Sequence, residues 1–397
     1  MNHRDRMLGA ILGQSIDAIP WVPRMDLWFI AHRARGTLPP ELLEADEVGI
    51  SSYFDFACHA LAEDPTLTRS PEDYALWGLG VARHPDFPYR LELHDLPIRH
   101  TGSFDEMATV IVTSRGEVST RMSWTEEMRR SGISAPIVTE HAVKSPADLE
   151  AVAEIFEHLE VVPTPEGYEA YRDRVGERGL AVAYGGPASP LHLLLHDLMA
   201  MEEFFYLWAD DRPAMESFGR RLDPFFEAVL GAVSQCSAEV VFWGGNYDQD
   251  ITWPAFFTEA MVPWIRRASD GLHAAGKLLL SHTDGENQRL LPFYAPAGID
   301  VAQSFCPAPM TRVSLREMRE GMGADRAVWG GIPSIALVPD SIDDVAFEAF
   351  LDALPEQVGN GRRLILSVSD MVPPDADLGR LRRIGDRIAA LGAPAPA

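Results

Sequence analysis

Cysteine is scarce in this chain: three residues in 397, at Cys58, Cys236 and Cys306. They are odd in number, far apart, and none forms a closely spaced pair. That excludes a disulfide framework and a cysteine-built zinc finger, and it predicts a reducing, cytoplasmic setting. Basic charge is scarce too. Lys and Arg number 34 against 59 Asp and Glu, a net charge of −25. Neutralising phosphates needs clustered Lys and Arg, so nucleic acid is excluded as a partner. An anionic membrane surface is excluded on the same ground. No apolar run approaches the ~18 residues of a membrane span. Residues 1–13 carry Arg4, Asp5 and Arg6 but no apolar signal core. There is no Gly-rich phosphate loop, P-loop, EF-hand loop or Gly-x-Ser-x-Gly elbow, so no nucleotide cofactor is expected.

What is present is an ordinary globular composition, 46% apolar and 23% charged, enough for a large core. Short apolar runs alternate with amphipathic stretches. Strands are predicted at residues 19–23, 180–184, 239–243, 277–282, 299–305, 326–330 and 363–369, with an eighth near 48–54. Most are continuous apolar runs, as in parallel strands covered on both faces. Residues 109–115 and 117–122 alternate around Gly116 and predict an inserted hairpin.

Helix starts are marked by Ser145 with Asp148, Ser314 with Glu317, and Ser341 with Asp344. The stretch 254–275 places Phe257, Met261, Trp264, Ala268 and Leu272 on one stripe, with Pro263 expected to kink it and Gly276 to end it. This alternation predicts a single α/β domain over residues 1–397, a TIM-type (β/α)8 barrel. Residues 1–150 form an N-terminal elaboration holding the first strand, and 393–397 a frayed tail.

In such a barrel the chemistry gathers where strands end. Arg24, Asp26 and Trp28 follow the first strand. Tyr184 closes the 180–184 run. Asn246, Tyr247, Asp248 and Asp250 follow the next, and His282 and Asp284 the one after. Trp329 and Asp370 end the last two. His282 and Asp284, two apart, suit a divalent metal or an acid–base pair, although Asp284 also fits a helix N-cap. The aromatics Trp28, Tyr184, Tyr247 and Trp329 suit the wall of a small-molecule pocket or plain core packing. Cys306 fits a soft ligand or a small buried hydrophobe. His192 and His196 share a helix face, but their Leu-rich surroundings favour packing. The stretch from Asp270 through His273 to Gly276 misses the spacing of a cobalt-ligating corrinoid loop by one residue, which excludes a built-in corrinoid domain.

These pieces, in this order, resemble the uroporphyrinogen decarboxylase superfamily. They are Asp17-x-Ile-Pro20 with Arg24, the hairpin followed by Lys144-Ser-Pro-Ala-Asp148, Gly186-Pro187, Asp248 to Asp250, and His-Ala-Ala-Gly-Lys277. They continue with His282-x-Asp284-Gly285, Gly298-Ile-Asp300 and Trp329-Gly-Gly-Ile-Pro333. The resemblance spans nearly the whole chain and implies a β/α barrel, a lyase or a methyltransferase, often paired as a homodimer at the mouth. Decarboxylases of this family carry Arg-Gln-Ala-Gly-Arg after the first strand. Here Arg24 matches the first arginine and Trp28 replaces the second. Their late Gly-His-Gly becomes Ser369-Asp370-Met371, and Asp55 stands loosely where they place an essential aspartate.

The thiol-dependent methyltransferases carry His-x-Cys-Gly and a later Cys. His282 and Gly285 match; Asp284 and the neighbourhood of Asp370 replace the thiolates. Family members that demethylate methoxylated compounds vary most at these positions. The resemblance therefore implies methyl transfer between a small methylated or methoxylated substrate and a separate corrinoid protein, with zinc held by His282 and Asp284. Arg24 and Asp370 would join them in catalysis. Asp26, Trp28, Tyr184, Asn246, Tyr247, Asp248, Asp250 and Trp329 would bind substrate. A cofactor-free decarboxylase and a non-catalytic binding barrel remain the alternatives.

Overall fold

The structure is a computed structural model and describes residues 1–61 and 70–395. Its centre is a six-stranded, wholly parallel sheet whose strands lie side by side in chain order. These are Ala183–Gly186, Val240–Gly245, Leu278–His282, Val301–Phe305, Ala327–Pro333 and Leu364–Ser369. Helices alternate with them, including Arg212–Gln235, Val262–Ala274, Leu315–Met322, Asp344–Val358 and Leu378–Leu391.

Backbone hydrogen bonds continue past both edges of this sheet. Leu366 N donates to Pro20 O, and Val22 N donates to Leu366 O, each at 2.9 Å. Ala57 N donates to Trp21 O at 3.1 Å. Cys58 N then donates to Arg178 O at 2.8 Å, and Val182 N to Ala60 O at 2.9 Å. The bridges at Trp21, Cys58 and Leu61 are all parallel.

Side chains alternate between two cores, as strand geometry requires. Leu180, Val182, Val240, Phe242, Leu280, Val301, Ala327, Trp329 and Ile365 point to one side and pack together. Their sequence neighbours Ala181, Val241, Trp243, Leu279, Ala302, Val328, Leu364 and Leu366 face the helices. Met7, Ala10 and Ile11 of the helix His3–Leu12 join the first cluster. That helix lies at the N-terminal ends of the strands, where Arg363 Nη1 donates to Ile11 O at 2.7 Å.

Several expectations are corrected. Residues 48–54 are not a strand: Glu47–Phe54 is a helix, with Asp46 accepting from Gly49 N as its cap. A short apolar run has no period to decide between the two, and the cap settles it. The extended piece comes just afterwards, at 57–61. The hairpin is the middle of a four-stranded antiparallel sheet, in which Glu106–Thr113 pairs with Gly116–Ser123 and Thr113 faces Gly116. Asp343, not Ser341, caps the helix Asp344–Val358 by accepting from Ala346 N. The boxes at Ser145 and Ser314 form. Ahead of Pro263 the chain widens into a π turn at Phe257–Met261, the kink that a missing proline N–H favours. The tail is tied down as far as Ala395, whose N–H bonds Asn360 O, while 396–397 lie outside the described residues. Among the described residues no helix is long and apolar enough to cross a membrane.

Candidate active site

The parallel strands end on one side, and polar side chains converge there. His282 is the last residue of its strand and lies in register with Gln303, which in turn lies in register with Trp329. All three share parity with the interior residues Leu280, Val301 and Ala327. That core therefore ends in His282, Gln303 and Trp329, with the Phe242 ring centroid 6.3 Å from that of the imidazole. His282 has only 7% of its surface exposed, and Gln303 1%. Gly245 pairs with His282 across the ladder, and a Cβ on it would come within 2.8 Å of the His282 Cβ. The glycine there makes room for the imidazole.

His282 has its two nitrogens in different company. Nδ1 lies 2.6 Å from Gln303 Oε1. Nε2 lies 3.6 Å from Asp284 Oδ1 and 3.6 Å from Asp370 Oδ1. Asp284 Oδ1 is buried and meets no hydrogen-bond partner among the described residues. Asp284 is not a helix cap: Leu290 precedes the next helix, Leu291–Ala297, and the Asn287 amide ties down the loop by donating to Thr283 O and Gly285 O.

Asp370 is held from two directions. Ser304 Oγ donates to its Oδ1 at 2.7 Å, and Arg24 Nη1 donates to the same atom at 3.3 Å. Arg24 Nε donates to Asp26 Oδ2 at 2.8 Å. Burial opposes the charge of Asp370, yet Arg24 and His282 outweigh it and hold its carboxyl below the usual range. Burial likewise opposes the charge on His282, but Asp284 and Asp370 prevail and raise it to about 9. His59, buried and facing the Arg24 charge, is pushed down to about 3. Its ring centroid lies 5.3 Å from that of Trp329, and its Nε2 lies 3.2 Å from Gln303 Nε2.

The structure thus brings together Arg24, Asp26, His282, Asp284 and Asp370. Tyr184 lies nearby, stacked between Phe87 and Phe242 at 4.4 and 5.5 Å. Trp329 is wholly buried in the floor, with its Nε1 lacking a partner among the described residues. Other predicted residues are occupied elsewhere. Trp28 is core, packed on His32 and Phe54. Tyr247 is fully buried, with its hydroxyl 2.8 Å from Ser281 Oγ. Asp248 clamps its own loop, accepting from Asp250 N at 2.8 Å and Glu286 N at 3.0 Å, and Asp250 is exposed. Asn246 Nδ2 stands 3.1 Å from Nε2 of the exposed His196. His192 is buried a turn away and driven to about 3 by burial and by His196. Asp55 is an exposed C-cap preceding the 57–61 segment, so it lies at the opposite end of the strands. Cys306 is a buried free thiol raised to about 12 by burial, Asp284 and Asp370, which leaves it protonated at neutral pH.

Sequence reasoning missed His59, Gln303 and Ser304. Gln303 carried a signal: a polar residue inside the apolar run 299–305, at the inward parity of Val301. Among the described residues one trio of ligand atoms lies mutually within 4.8 Å, that of Glu92, His94 and Glu160. It sits on the exposed face of the Tyr89–Leu93 and Leu159–Pro163 pair, where Arg90 also pairs with Glu92.

No protein-family model matches the chain, and no curated protein matches it. Among solved structures, a methyltransferase from Methanosarcina mazei is similar at 16% sequence identity and a TM-score of 0.53, over 98% of this chain and 99% of that one. At that identity the likeness is one of fold, a mixed α/β architecture of parallel strands and helices shared end to end.

Proposed function

We propose that this chain is a methyltransferase that moves a methyl group between a small methylated or methoxylated substrate and a separate corrinoid protein. The observation that carries the reading is His282 set between Asp284 and Asp370 where the parallel strands end. The thiol-dependent methyltransferases it resembles place a histidine at the position of His282, a thiolate at that of Asp284 and a second thiolate in the neighbourhood of Asp370. The solved structure sharing the fold is itself named a methyltransferase, which supports the reading. In the same reading, the six strands together with residues 20–22 and 57–61 make a closed eight-stranded β/α barrel, and the site lies at its C-terminal mouth.

The donor types suit a divalent cation such as zinc, and Asp284 and Asp370, whose Oδ1 atoms stand more than 4.8 Å apart, would have to close on it. Asp284 Oδ1 is buried without a hydrogen-bond partner among the described residues, and Gln303 engages Nδ1 of His282, leaving Nε2 turned to the two acids. His282, Asp284 and Asp370 would hold the ion, and carboxylates in place of thiolates suit a harder cation. When bound, the ion supplies Lewis acidity toward the heteroatom that bears the methyl group. The chain's own residues do the rest. Arg24 and Ser304 fix the Asp370 carboxylate, and Phe242, Tyr184 and Trp329 give the site an apolar floor.

Decarboxylation is disfavoured by two observations. Arg24 already meets two carboxylates, and Asp55 stands at the wrong end of the strands.

The test is metal analysis of purified protein, followed by methyl transfer from a panel of methylated and methoxylated compounds to free cob(I)alamin, read by absorbance. Formation of methylcobalamin that is lost with chelator and in His282→Ala is expected. Turnover unchanged in that variant, or none from any compound with metal-loaded protein, overturns the proposal.

A further inference from the structure

The buried chain His59–Gln303–His282 fixes its own proton positions. Gln303 Oε1 lies 2.6 Å from His282 Nδ1, and Gln303 Nε2 lies 3.2 Å from His59 Nε2. An amide can be turned either way, so chemistry has to choose. With Oε1 toward His282, Nδ1 carries a proton and donates. That holds whether the imidazole is neutral at Nε2 or fully protonated between its two acids. The reverse orientation would set two nitrogens 2.6 Å apart, shorter than an N–H···N hydrogen bond allows. Gln303 Nε2 is then a donor, and His59 Nε2 has to accept. His59 is consequently neutral, with its proton on Nδ1. Its burial and the nearby Arg24 charge favour the same state.

We propose that Gln303 and His59 are positioning residues of the site: His59 locks the Gln303 amide, whose carbonyl turns Nε2 of His282 toward Asp284 and Asp370. This rests on the reading of His282 as the working residue of the site. The reason is one of saturation. His282 has two equivalent ways to sit in its pocket, related by a ring flip, and a carbonyl at Nδ1 accepts a proton that the acids cannot also claim. The amide would be free to turn over if nothing accepted from its nitrogen, and His59 is the group that accepts. No sequence motif carries this arrangement, because His282 and Gln303 lie on adjacent strands while His59 reaches Gln303 from a segment that pairs with neither of them.

Two measurements test it. In protein labelled with 15N-histidine, long-range proton–nitrogen correlation reads the tautomer of His59, and the His59→Gln variant assigns the signal. A neutral ring with Nδ1 protonated and Nε2 bare at pH 7 is expected. An imidazolium, or a proton on Nε2, overturns the proposal. In parallel, zinc affinity is measured by chelator competition. Gln303→Leu and His59→Leu are expected to weaken zinc about 10–100-fold, as loss of an orienting partner does. His59→Gln, which returns an acceptor oxygen, is expected to bind nearly as the parent does. Parental affinity in Gln303→Leu overturns the proposal. If the parent protein binds no zinc, the metal reading of the site fails, while the His59 tautomer still decides the relay. The tautomer measurement uses the parent protein and needs no variant of Gln303 to fold.

Discussion

Stability of the metal-free protein is predicted to peak just below about pH 7 and to fall on both sides, for opposite reasons. On the acid side, His59 and His192 are buried and driven to about 3. In the unfolded chain each titrates near 6.5. Below that pH the unfolded state takes up protons that the folded state refuses, so stability present above 6.5 is lost as pH falls toward 3. Between pH 7 and 5 each histidine costs about 2 kcal/mol, about 4 for the pair. On the alkaline side, His282 is raised to about 9 by Asp284 and Asp370 against its burial. The folded state holds that proton more tightly, which contributes about 3 kcal/mol below pH 6.5 and is lost on rising through 9. His282 gains slightly on acidification and offsets part of the acid limb. The net loss is about 3 kcal/mol from pH 7 to 5 and about 2 kcal/mol from pH 7 to 9. The assay is urea unfolding at fixed ionic strength with chelator present, followed by tryptophan fluorescence. His192→Asn is expected to flatten the acid limb by about two-thirds, and His282→Asn to remove the alkaline one. Comparing variant with parent isolates these groups from carboxylates that titrate in the same range. A parent curve that is flat or rises from pH 7 to 5, or an acid limb of unchanged slope in His192→Asn, would refute the reasoning.

Three shorter predictions follow from the geometry. Gly245→Ala puts a methyl 2.8 Å from the His282 Cβ, so methyl transfer should fall by about 10²-fold while stability drops only about 1–3 kcal/mol; rate and melting measured together check this, and an unimpaired rate contradicts it. Asp284→Asn keeps the shape but removes one of the two charges that raise His282, so the imidazole should titrate lower by NMR and zinc should bind at least about tenfold more weakly. All three cysteines are buried and raised, so no thiol should react with a disulfide reagent at pH 7.5 until denaturant is added, when three should appear; rapid native labelling of Cys306 would show its pocket to be open.

The parallel strands were legible because their chemistry is local and repeated. Each is an apolar run bounded by Gly, Pro or a charged residue, and burial on both faces leaves no alternation to confuse. His282, Asp284, Arg24 and Asp370 were legible for the related reason that they follow such runs. The segment 57–61 was not. It bonds its neighbours at only a few positions, and its sequence, Ala57-Cys58-His59-Ala60-Leu61, has neither β-branched residues nor a flanking turn signal. The helix before it drew the strand assignment to itself, because Val48 and Ile50 with Tyr53 and Phe54 suit either period at that length. Aromatics at strand ends misled in the other direction. Trp28 and Tyr247 sit where a pocket wall would be, yet each faces the helix layer, and only pairing in three dimensions separates the two sides.

The acid excess read from composition acquires a local meaning at the site. Two carboxylates flank one imidazole at 3.6 Å each, a costly arrangement for buried charge unless it is answered. Asp370 is answered by Arg24 and Ser304, and its charge is thereby kept. Asp284 Oδ1 has no hydrogen-bond partner among the described residues and faces the His282 imidazole at 3.6 Å. A site whose only purpose was to stabilise the fold would pair both acids or neither. Here one acid is fixed by one cation and one hydroxyl from two other strand ends, and the other is left facing His282 Nε2. That asymmetry is what a group meant to meet a cation or a proton in the course of its work requires, and it is absent from the Glu92–His94–Glu160 trio, whose side chains are half-buried or exposed. Replacing Asp284 by Leu therefore separates the two meanings. Removing Asp284 takes away one of the two charges that hold the His282 proton, so the metal-free protein should lose stability in either case; a working acid should lose zinc and methyl transfer as well, whereas a purely structural one should leave both intact.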